Sequence, residues 1–234
     1  EKYMGQNTIA SLLQAAGKTF HVYAEGYADA VAAGAMCASP PEACGLHLGI
    51  YPCIYDPTDI PFLYYAQHAD DPNFVQDYSQ LAKDLDAGTL PDVSFVKPLG
   101  FHSEHPGYSV TISDGDAIVG ALVDKVGTSC YKDNTLILLT WDEGGGFFDH
   151  VAPPPDSTVD NQPYGTRVPL LAIGRFAKKG AVSHVQMEHS SIVKFLEFVF
   201  LGGQTGQLGA RDAVVNDIGS LLDPAATGMT IPDQ

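Results

Sequence analysis

Two adjacent carboxylates, Asp142 and Glu143, are the clearest candidates for a functional site in the sequence, because they closely follow an apolar run at residues 135–140. Neighbouring carboxylates repel each other unless a cation or solvent compensates their charge. The three glycines at 144–146 allow a tight turn and a close approach of the backbone to a bound group. Carboxylate oxygens are hard ligands, so the pair predicts a site for Mg²⁺, Mn²⁺ or Ca²⁺. The alternative is that Asp142 caps a following helix while Glu143 faces water.

Two histidines form a second candidate group, since His102 and His105 share the segment 101–107 with Pro106 and Gly107. An imidazole beside a metal can coordinate it, bond a phosphoryl oxygen or protonate a leaving alkoxide. The alternative for both is an ordinary surface loop. His150 follows Asp149 and suits either a hydrogen bond that orients a metal ligand or a structural role beneath the prolines at 153–155.

The elements that must position these residues alternate between strand and helix along the chain. Strands are predicted at 19–23, 93–96, 135–140 and 168–173, and helices near 8–16, 74–85, 113–126 and 190–200. The last two strands are apolar without alternation, which indicates burial on both faces in a parallel sheet. We therefore expect one domain, residues 1–234, with a three-layer α/β fold and a mostly parallel central sheet. Working groups in such folds follow the carboxyl ends of the strands.

The charge balance bounds the partners, since 28 acidic and 12 basic residues give a net charge of -16. Nucleic-acid surfaces need clustered Lys and Arg, so we expect no nucleic-acid partner. An anionic substrate would be repelled unless a bound divalent cation reverses the sign locally. Solubility alone is the other interpretation of the acidity. No apolar run reaches the ~18 residues of a membrane span.

The cysteines and the start of the chain bear on the compartment. Cys37, Cys44 and Cys53 crowd into a loop-rich stretch, and Cys130 lies far downstream. An even count is compatible with two disulfides, Cys37–Cys44 and then Cys53–Cys130, or with free thiols. The chain begins without Met or an apolar leader, so we expect an upstream segment to have been removed. Secretion, to the periplasm or outside the cell, is the predicted localisation.

The segment 140–155 begins with Thr and continues as Trp-Asp-Glu-Gly-Gly-Gly-Phe-Phe-Asp-His-Val. An Ala and three prolines follow and complete it. It resembles the hallmark of the bacterial and fungal phosphoesterases, which include acid phosphatases and non-haemolytic-type phospholipases C and belong to the alkaline phosphatase superfamily. Shorter likenesses lie at residues 8–13, 23–25, 104–106, 164–169, 179–184 and 188–192.

The resemblance implies an alkaline phosphatase-like fold and a phosphoric ester hydrolase. In this family Asp142 and Glu143 would bind the active-site divalent metal, and His105 would stand beside the phosphoryl group of a phosphate-ester substrate. A hydroxyl nucleophile would attack phosphorus while the metal steadies the developing charge.

Three departures from the family pattern qualify this expectation. Members usually place a Glu-Asn pair and a Ser or Thr nucleophile upstream of the helix at 8–16, so we expect activity to require a preceding segment, with the chain's own N-terminal fragment as partner. Asp59 stands where many members have His; it can orient a histidine or touch the metal but is no cationic phosphate contact. Ala152 separates Val151 from the prolines. The alternative function is a non-catalytic surface or binding fragment that keeps the fold.

Overall fold

The computed structural model describes residues 4–32, 57–69, 71–106 and 110–233. The chain divides into two compact units, residues 1–131 and 132–234, and each is described by itself. The prediction of a single domain stays a prediction. Cys37, Cys44, Cys53 and Gly107 lie outside the described residues.

A parallel sheet organises unit 1. Strand β1 (Phe20–Ala24) lies between β2 (Val75–Asp77) and β3 (Val93–Lys97), and both neighbours run parallel to it. Four of the five residues of β1 are buried, as expected for a central strand covered by helices. The α/β class and the parallel sheet are therefore confirmed, and an open sheet of this kind is consistent with a three-layer α/β fold.

Local capping signals set the helices of unit 1. Helix α1 (Ile9–Ala15) begins at Thr8, whose hydroxyl accepts a hydrogen bond from the Ser11 N–H, while the Ser11 hydroxyl accepts one from the Thr8 N–H. This reciprocal pair is a capping box. The other helices of the unit are α2 (Tyr27–Ala32), α3 (Ala66–Ala69), α4 (Tyr78–Ala87) and α5 (Ile112–Thr128), with 3-10 turns at Pro57–Asp59, Pro61–Tyr64 and Gly100–His102.

The predicted helix at 74–85 is wrong in its first turn. Residues Val75–Asp77 form β2, and Val75 pairs with Val22 of β1. Helix α4 starts only after Asp77, whose carboxylate accepts a hydrogen bond from the Ser79 N–H at 3.0 Å. The apolar residues of the short strand continue the helical spacing by coincidence, so periodicity alone could not separate the two elements.

Unit 2 contains β4 (Leu136–Thr140), β5 (Leu170–Gly174), α6 (His189–Phe200) and α7 (Pro224–Thr227), with 3-10 turns at Arg211–Ala213 and Gly219–Leu221. The two strands pair antiparallel, which corrects the expectation that both belong to a parallel ladder. Burial on both faces is also wrong. Alternate residues pack on a core of Phe195, Ile218, Leu222 and Ile231, whereas Leu171 on the other face is 41% exposed.

Two further features bear on the expectations. None of the helices that the structure describes is long and apolar enough to cross a membrane. Cys130 is an exposed free thiol, so the described residues give the Cys53–Cys130 pairing no support. The Cys37–Cys44 pairing stays a prediction.

Candidate functional site

The carboxyl ends of β1 and β3 bring several predicted residues of unit 1 to one edge of the sheet. The N–H of Glu25, just beyond β1, donates to the carbonyl of Lys97, the last residue of β3, at 3.0 Å. Parallel strands end side by side, so side chains that follow them share this edge. We call these strand ends, with the loop that follows β3, the sheet edge.

Glu25 and His102 form a hydrogen-bonded pair at the sheet edge. His102 Nδ1 lies 2.9 Å from Glu25 Oε2, and the same oxygen accepts the Leu99 N–H at 2.9 Å. A carboxylate partner fixes the imidazole ring and favours the proton on Nδ1, which leaves Nε2 for another partner. His102 is a predicted site residue, but the sequence contains no sign of its pairing with Glu25.

Asp59 is also paired at the sheet edge, with a residue that sequence reasoning missed. Its Oδ2 lies 3.0 Å from the Lys97 ammonium, and both side chains are largely shielded from solvent. Lys97 thus supplies the cationic side chain that Asp59 itself cannot. Its position as the last residue of a strand was the available signal.

His105 is exposed and follows a backbone position with a left-handed conformation. Glu104 has φ of 64°, which is uncommon for a residue other than glycine. A side chain on Gly115 of α5 would collide with the Glu104 side chain, so this glycine allows residue 104 to pack against the helix. The His105 N–H also donates to Ser103 Oγ at 3.4 Å. The structure therefore holds the backbone of the loop that presents His105.

The acidic pair of unit 2 lies on a glycine turn. Gly145 and Gly146 both have positive φ, 67° and 73°, and the Phe147 N–H closes the turn on the Gly144 carbonyl at 3.1 Å. Two consecutive positive φ angles favour glycine strongly. No helix begins directly after Asp142, so a capping role for Asp142 is wrong, whereas Glu143 is exposed, as that alternative expected. We call residues 141–151 the acidic loop.

Within the described residues, the adjacent carboxylates of Asp142 and Glu143 accept only short-range backbone hydrogen bonds. Asp142 Oδ1 accepts the Glu143 N–H at 3.0 Å, and Glu143 Oε2 accepts the Gly145 N–H at 2.7 Å. Both side chains are exposed, and neither forms an ion pair within the described part of the chain. Two hard oxygen donors with uncompensated charge fit a divalent cation. The described residues hold no group of three potential metal ligands.

The end of the acidic loop is held by a charged contact. Asp149 accepts hydrogen bonds from Arg167 Nε at 2.9 Å and Arg167 Nη2 at 2.7 Å. These bonds hold the pKa of Asp149 well below its usual range. His150 next to it is exposed, with its ring edge-to-face to Phe148 at 5.1 Å. Neither role predicted for His150 is decided by this contact.

The start of the loop has an anchor as well. His189, the first residue of α6, places Nε2 2.8 Å from the Trp141 carbonyl, so a proton on that nitrogen donates to it. This contact joins the start of the acidic loop to the first turn of α6.

The predicted site residues fall into two groups. Asp59, His102 and His105 belong to unit 1. At the sheet edge, Asp59 is paired with Lys97 and His102 is paired with Glu25. Asp142, Glu143 and His150 belong to unit 2 and share the acidic loop.

Comparison with known proteins gives a consistent set of relatives. A model of the phosphoesterase family matches residues 1–201. A non-hemolytic phospholipase C of Pseudomonas aeruginosa is 30% identical over 220 residues, covering 78% of this chain and 32% of that protein. Phospholipase C B of Mycobacterium tuberculosis is 34% identical over 167 residues, covering 62% and 32%. Non-specific phospholipase C3 of Arabidopsis thaliana is 28% identical over 193 residues, covering 68% and 36%. The chain spans about a third of the length of the curated relatives it matches.

Proposed function

We propose that this chain, which belongs to the phosphoesterase family, carries the metal-binding part of a phosphate-ester hydrolase. The printed names of its relatives, phospholipases C from two bacteria and a plant, support hydrolysis of a phosphate ester. Phosphomonoesters and phosphodiesters are both within this proposal.

One observation carries the proposal: the acidic loop presents two exposed neighbouring carboxylates, Asp142 and Glu143, whose partners among the described residues are all backbone N–H groups. Without compensation their mutual repulsion is a cost to the folded loop. A divalent cation there would act as a Lewis acid on a phosphoryl oxygen and offset the repulsion between the acidic protein and its substrate. Asp142 and Glu143 would hold it through their free oxygens.

The sheet edge supplies groups suited to the remaining tasks. His105 is the proposed proton donor to the leaving alkoxide or hydrogen-bond donor to the phosphoryl group. Glu25 holds His102 through Nδ1, so the Nε2 of that ring can exchange a proton or bind an oxygen. We assign Asp59 to neutralising Lys97, and His150 to supporting the acidic loop. We place the hydroxyl nucleophile in a segment that precedes Glu1, and the protein outside the cytoplasm.

The test is a substrate panel on the complete protein. We expect turnover of p-nitrophenyl phosphate, of p-nitrophenylphosphorylcholine or of both, loss of that turnover on dialysis against EDTA, and recovery on return of Mg²⁺, Mn²⁺, Ca²⁺ or Zn²⁺. Turnover that persists in metal-free buffer would contradict metal dependence. Retained metal without turnover of any ester would favour the non-catalytic binding fragment.

A further inference from the structure

A short segment of unit 2, residues 164–169, contacts the acidic loop and its preceding strand at three places. We call it the backing segment. At one end the Thr140 hydroxyl donates to the Pro169 carbonyl at 2.8 Å. At the glycine turn, the Thr166 side chain lies so close to the backbone of Gly144 that a side chain on Gly144 would overlap the Thr166 hydroxyl. Near the end of the acidic loop, Arg167 binds Asp149.

The contact at Asp149 has the most complete geometry of the three. Its carboxylate accepts four N–H groups: Nε, Nη2 and the backbone N–H of Arg167, and the backbone N–H of Val151. The distances run from 2.7 to 3.0 Å, and the Asp149 side chain is only 13% exposed. A two-pronged guanidinium–carboxylate contact fixes direction as well as distance.

The acidic loop needs restraint from outside because little within it resists motion. Its centre is glycine at 144–146, and glycine leaves the backbone more freedom than any other residue. The two aromatic residues that follow bury little, since Phe147 is 71% and Phe148 83% exposed. The position of the loop therefore depends on its anchors.

We propose that Thr166 and Arg167 are positioning residues that hold the acidic loop in the conformation in which Asp142 and Glu143 present their oxygens to one cation. The expected effect of these two residues on metal binding rests on the proposed function, whereas their restraint of the loop does not. Two adjacent carboxylates separate when free, because repulsion and rotamer entropy both favour separation. Residues that orient metal ligands typically change metal affinity roughly 10- to 100-fold when mutated.

The sequence provides its own reporter for the restraint. Trp141 is the one tryptophan of the 234 residues, and it lies at the start of the acidic loop next to Asp142. Quenching of its fluorescence by acrylamide measures access to the loop before any metal is added. A Trp141→Phe variant supplies the baseline for subtraction.

The chain also offers a matched control for Asp149. Asp160 accepts Arg211 Nε at 2.8 Å and Arg211 Nη2 at 2.9 Å, together with the backbone N–H of Gln162 at 3.0 Å. Its fork includes no residue of the acidic loop, although Arg211 also lies over the ring of Tyr164 in the backing segment, 4.8 Å from the ring centroid. Asp160→Asn therefore removes the same kind of bond but none of the three contacts between the backing segment and the acidic loop or its strand.

The experiment compares Asp149→Asn, Arg167→Met and Arg167→Lys with Asp160→Asn in the complete protein. We expect the first two to raise the quenching constant of Trp141 and to weaken Mn²⁺ binding roughly 10- to 100-fold, with melting temperatures close to that of Asp160→Asn. Arg167→Lys keeps the charge without the fork and should recover only part of either loss.

The two arms separate the two hypotheses. Quenching and Mn²⁺ affinity that match Asp160→Asn in both Asp149→Asn and Arg167→Met would overturn the positioning role. Raised quenching in a protein that binds no Mn²⁺ even as wild type would overturn the proposed function and the metal-directed part of this inference, while the restraint of the loop would stand.

Discussion

The sheet edge of unit 1 and the acidic loop of unit 2 treat charge in opposite ways. At the sheet edge the carboxylates of Glu25 and Asp59 have partners, His102 at 2.9 Å and Lys97 at 3.0 Å. In the acidic loop Asp142 and Glu143 have only backbone N–H partners among the described residues. Among the described residues, Asp142 and Glu143 therefore lack the side-chain partner that Glu25, Asp59 and, within the same loop, Asp149 each have.

This difference shows where an external cation has most to contribute. A carboxylate that already has a charged partner gains little electrostatic stabilisation from a further cation. Two uncompensated carboxylates gain more from a divalent ion, and when they are exposed the desolvation cost of binding it is small. Under the proposed function, the paired side chains of the sheet edge would serve orientation and proton transfer. The predictions below test that division of labour.

The largest expected effect in unit 1 comes from His105→Ala. If His105 acts on the leaving group, turnover falls by roughly two to four powers of ten, as for other positioned acid–base groups. Exposed His184 is the control, and His184→Ala should leave turnover unchanged. Steady-state assays on the two variants measure this difference. If His105→Ala and His184→Ala had equal turnover, His105 would be an ordinary loop residue.

A smaller effect is expected when the partner of His102 is neutralised. Glu25→Gln keeps an acceptor for the Leu99 N–H but removes the charge beside the imidazole, so turnover should fall by roughly tenfold. Asp92→Asn is the matched control, because Asp92 accepts hydrogen bonds from Thr19 at the opposite end of the same strands. Turnover equal to that of the control would remove His102 from the reaction.

The glycine turn of the acidic loop should be sensitive to a single methyl group. Gly146 has φ of 73° with open space around it, so Gly146→Ala costs only backbone strain, about 1–2 kcal/mol. Gly120 is exposed in α5, also with open space, and Gly120→Ala should instead raise the free energy of unfolding by about 0.5–1 kcal/mol. Urea unfolding of both variants measures the difference. The same sign for both would contradict the left-handed turn.

The buried titratable groups extend the contrast between the units. His68 of unit 1 is buried, stacks on Phe74 and lies 2.7 Å from the Thr8 hydroxyl; burial lowers its pKa below the ordinary 6.5. Glu197 of unit 2 is fully buried; burial and the neighbouring Asp212 carboxylate raise its pKa above the ordinary 4.5.

These opposite shifts predict opposite pH dependences, the smallest effect considered. The stability that neutral His68 contributes is full above pH 6.5 and is lost as the pH falls through its lowered pKa. The contribution of protonated Glu197 is full below pH 4.5 and is lost as the pH rises through its raised pKa. Thermal unfolding of His68→Asn and Glu197→Gln from pH 4 to 8 checks this. The His68 variant should flatten the acidic side of the wild-type plot of melting temperature against pH, and the Glu197 variant the side of higher pH. If both variants flattened the same side, the assigned directions of the two pKa shifts would be contradicted.

Local signals were enough to predict much of the fold. Helix α1 and strand β3 lie within a residue or two of their predicted bounds, because a cap and a proline mark them in the sequence. Helix α5 begins earlier than predicted, since Thr111 is the cap and Asp114 closes its capping box. Such errors arise where two neighbouring residues can both cap a helix.

The pairings at the site depend on the fold and could not be predicted. Glu25 meets His102 across 77 positions, and His189 meets Trp141 across 48. The order of the strands decides the first contact, and the packing of α6 the second. The antiparallel pairing of β4 and β5 was hidden for a related reason: apolar residues at every position of a strand do not report its direction.

The most direct test of the central claim is metal stoichiometry. Elemental analysis should find a divalent metal in the complete wild-type protein and strongly reduced content in Asp142→Asn and Glu143→Gln. Asp156→Asn, at an exposed position outside the acidic loop, should retain the wild-type amount. Equal metal content in all four proteins, or none in the wild type after equilibration with divalent ions, would contradict the account.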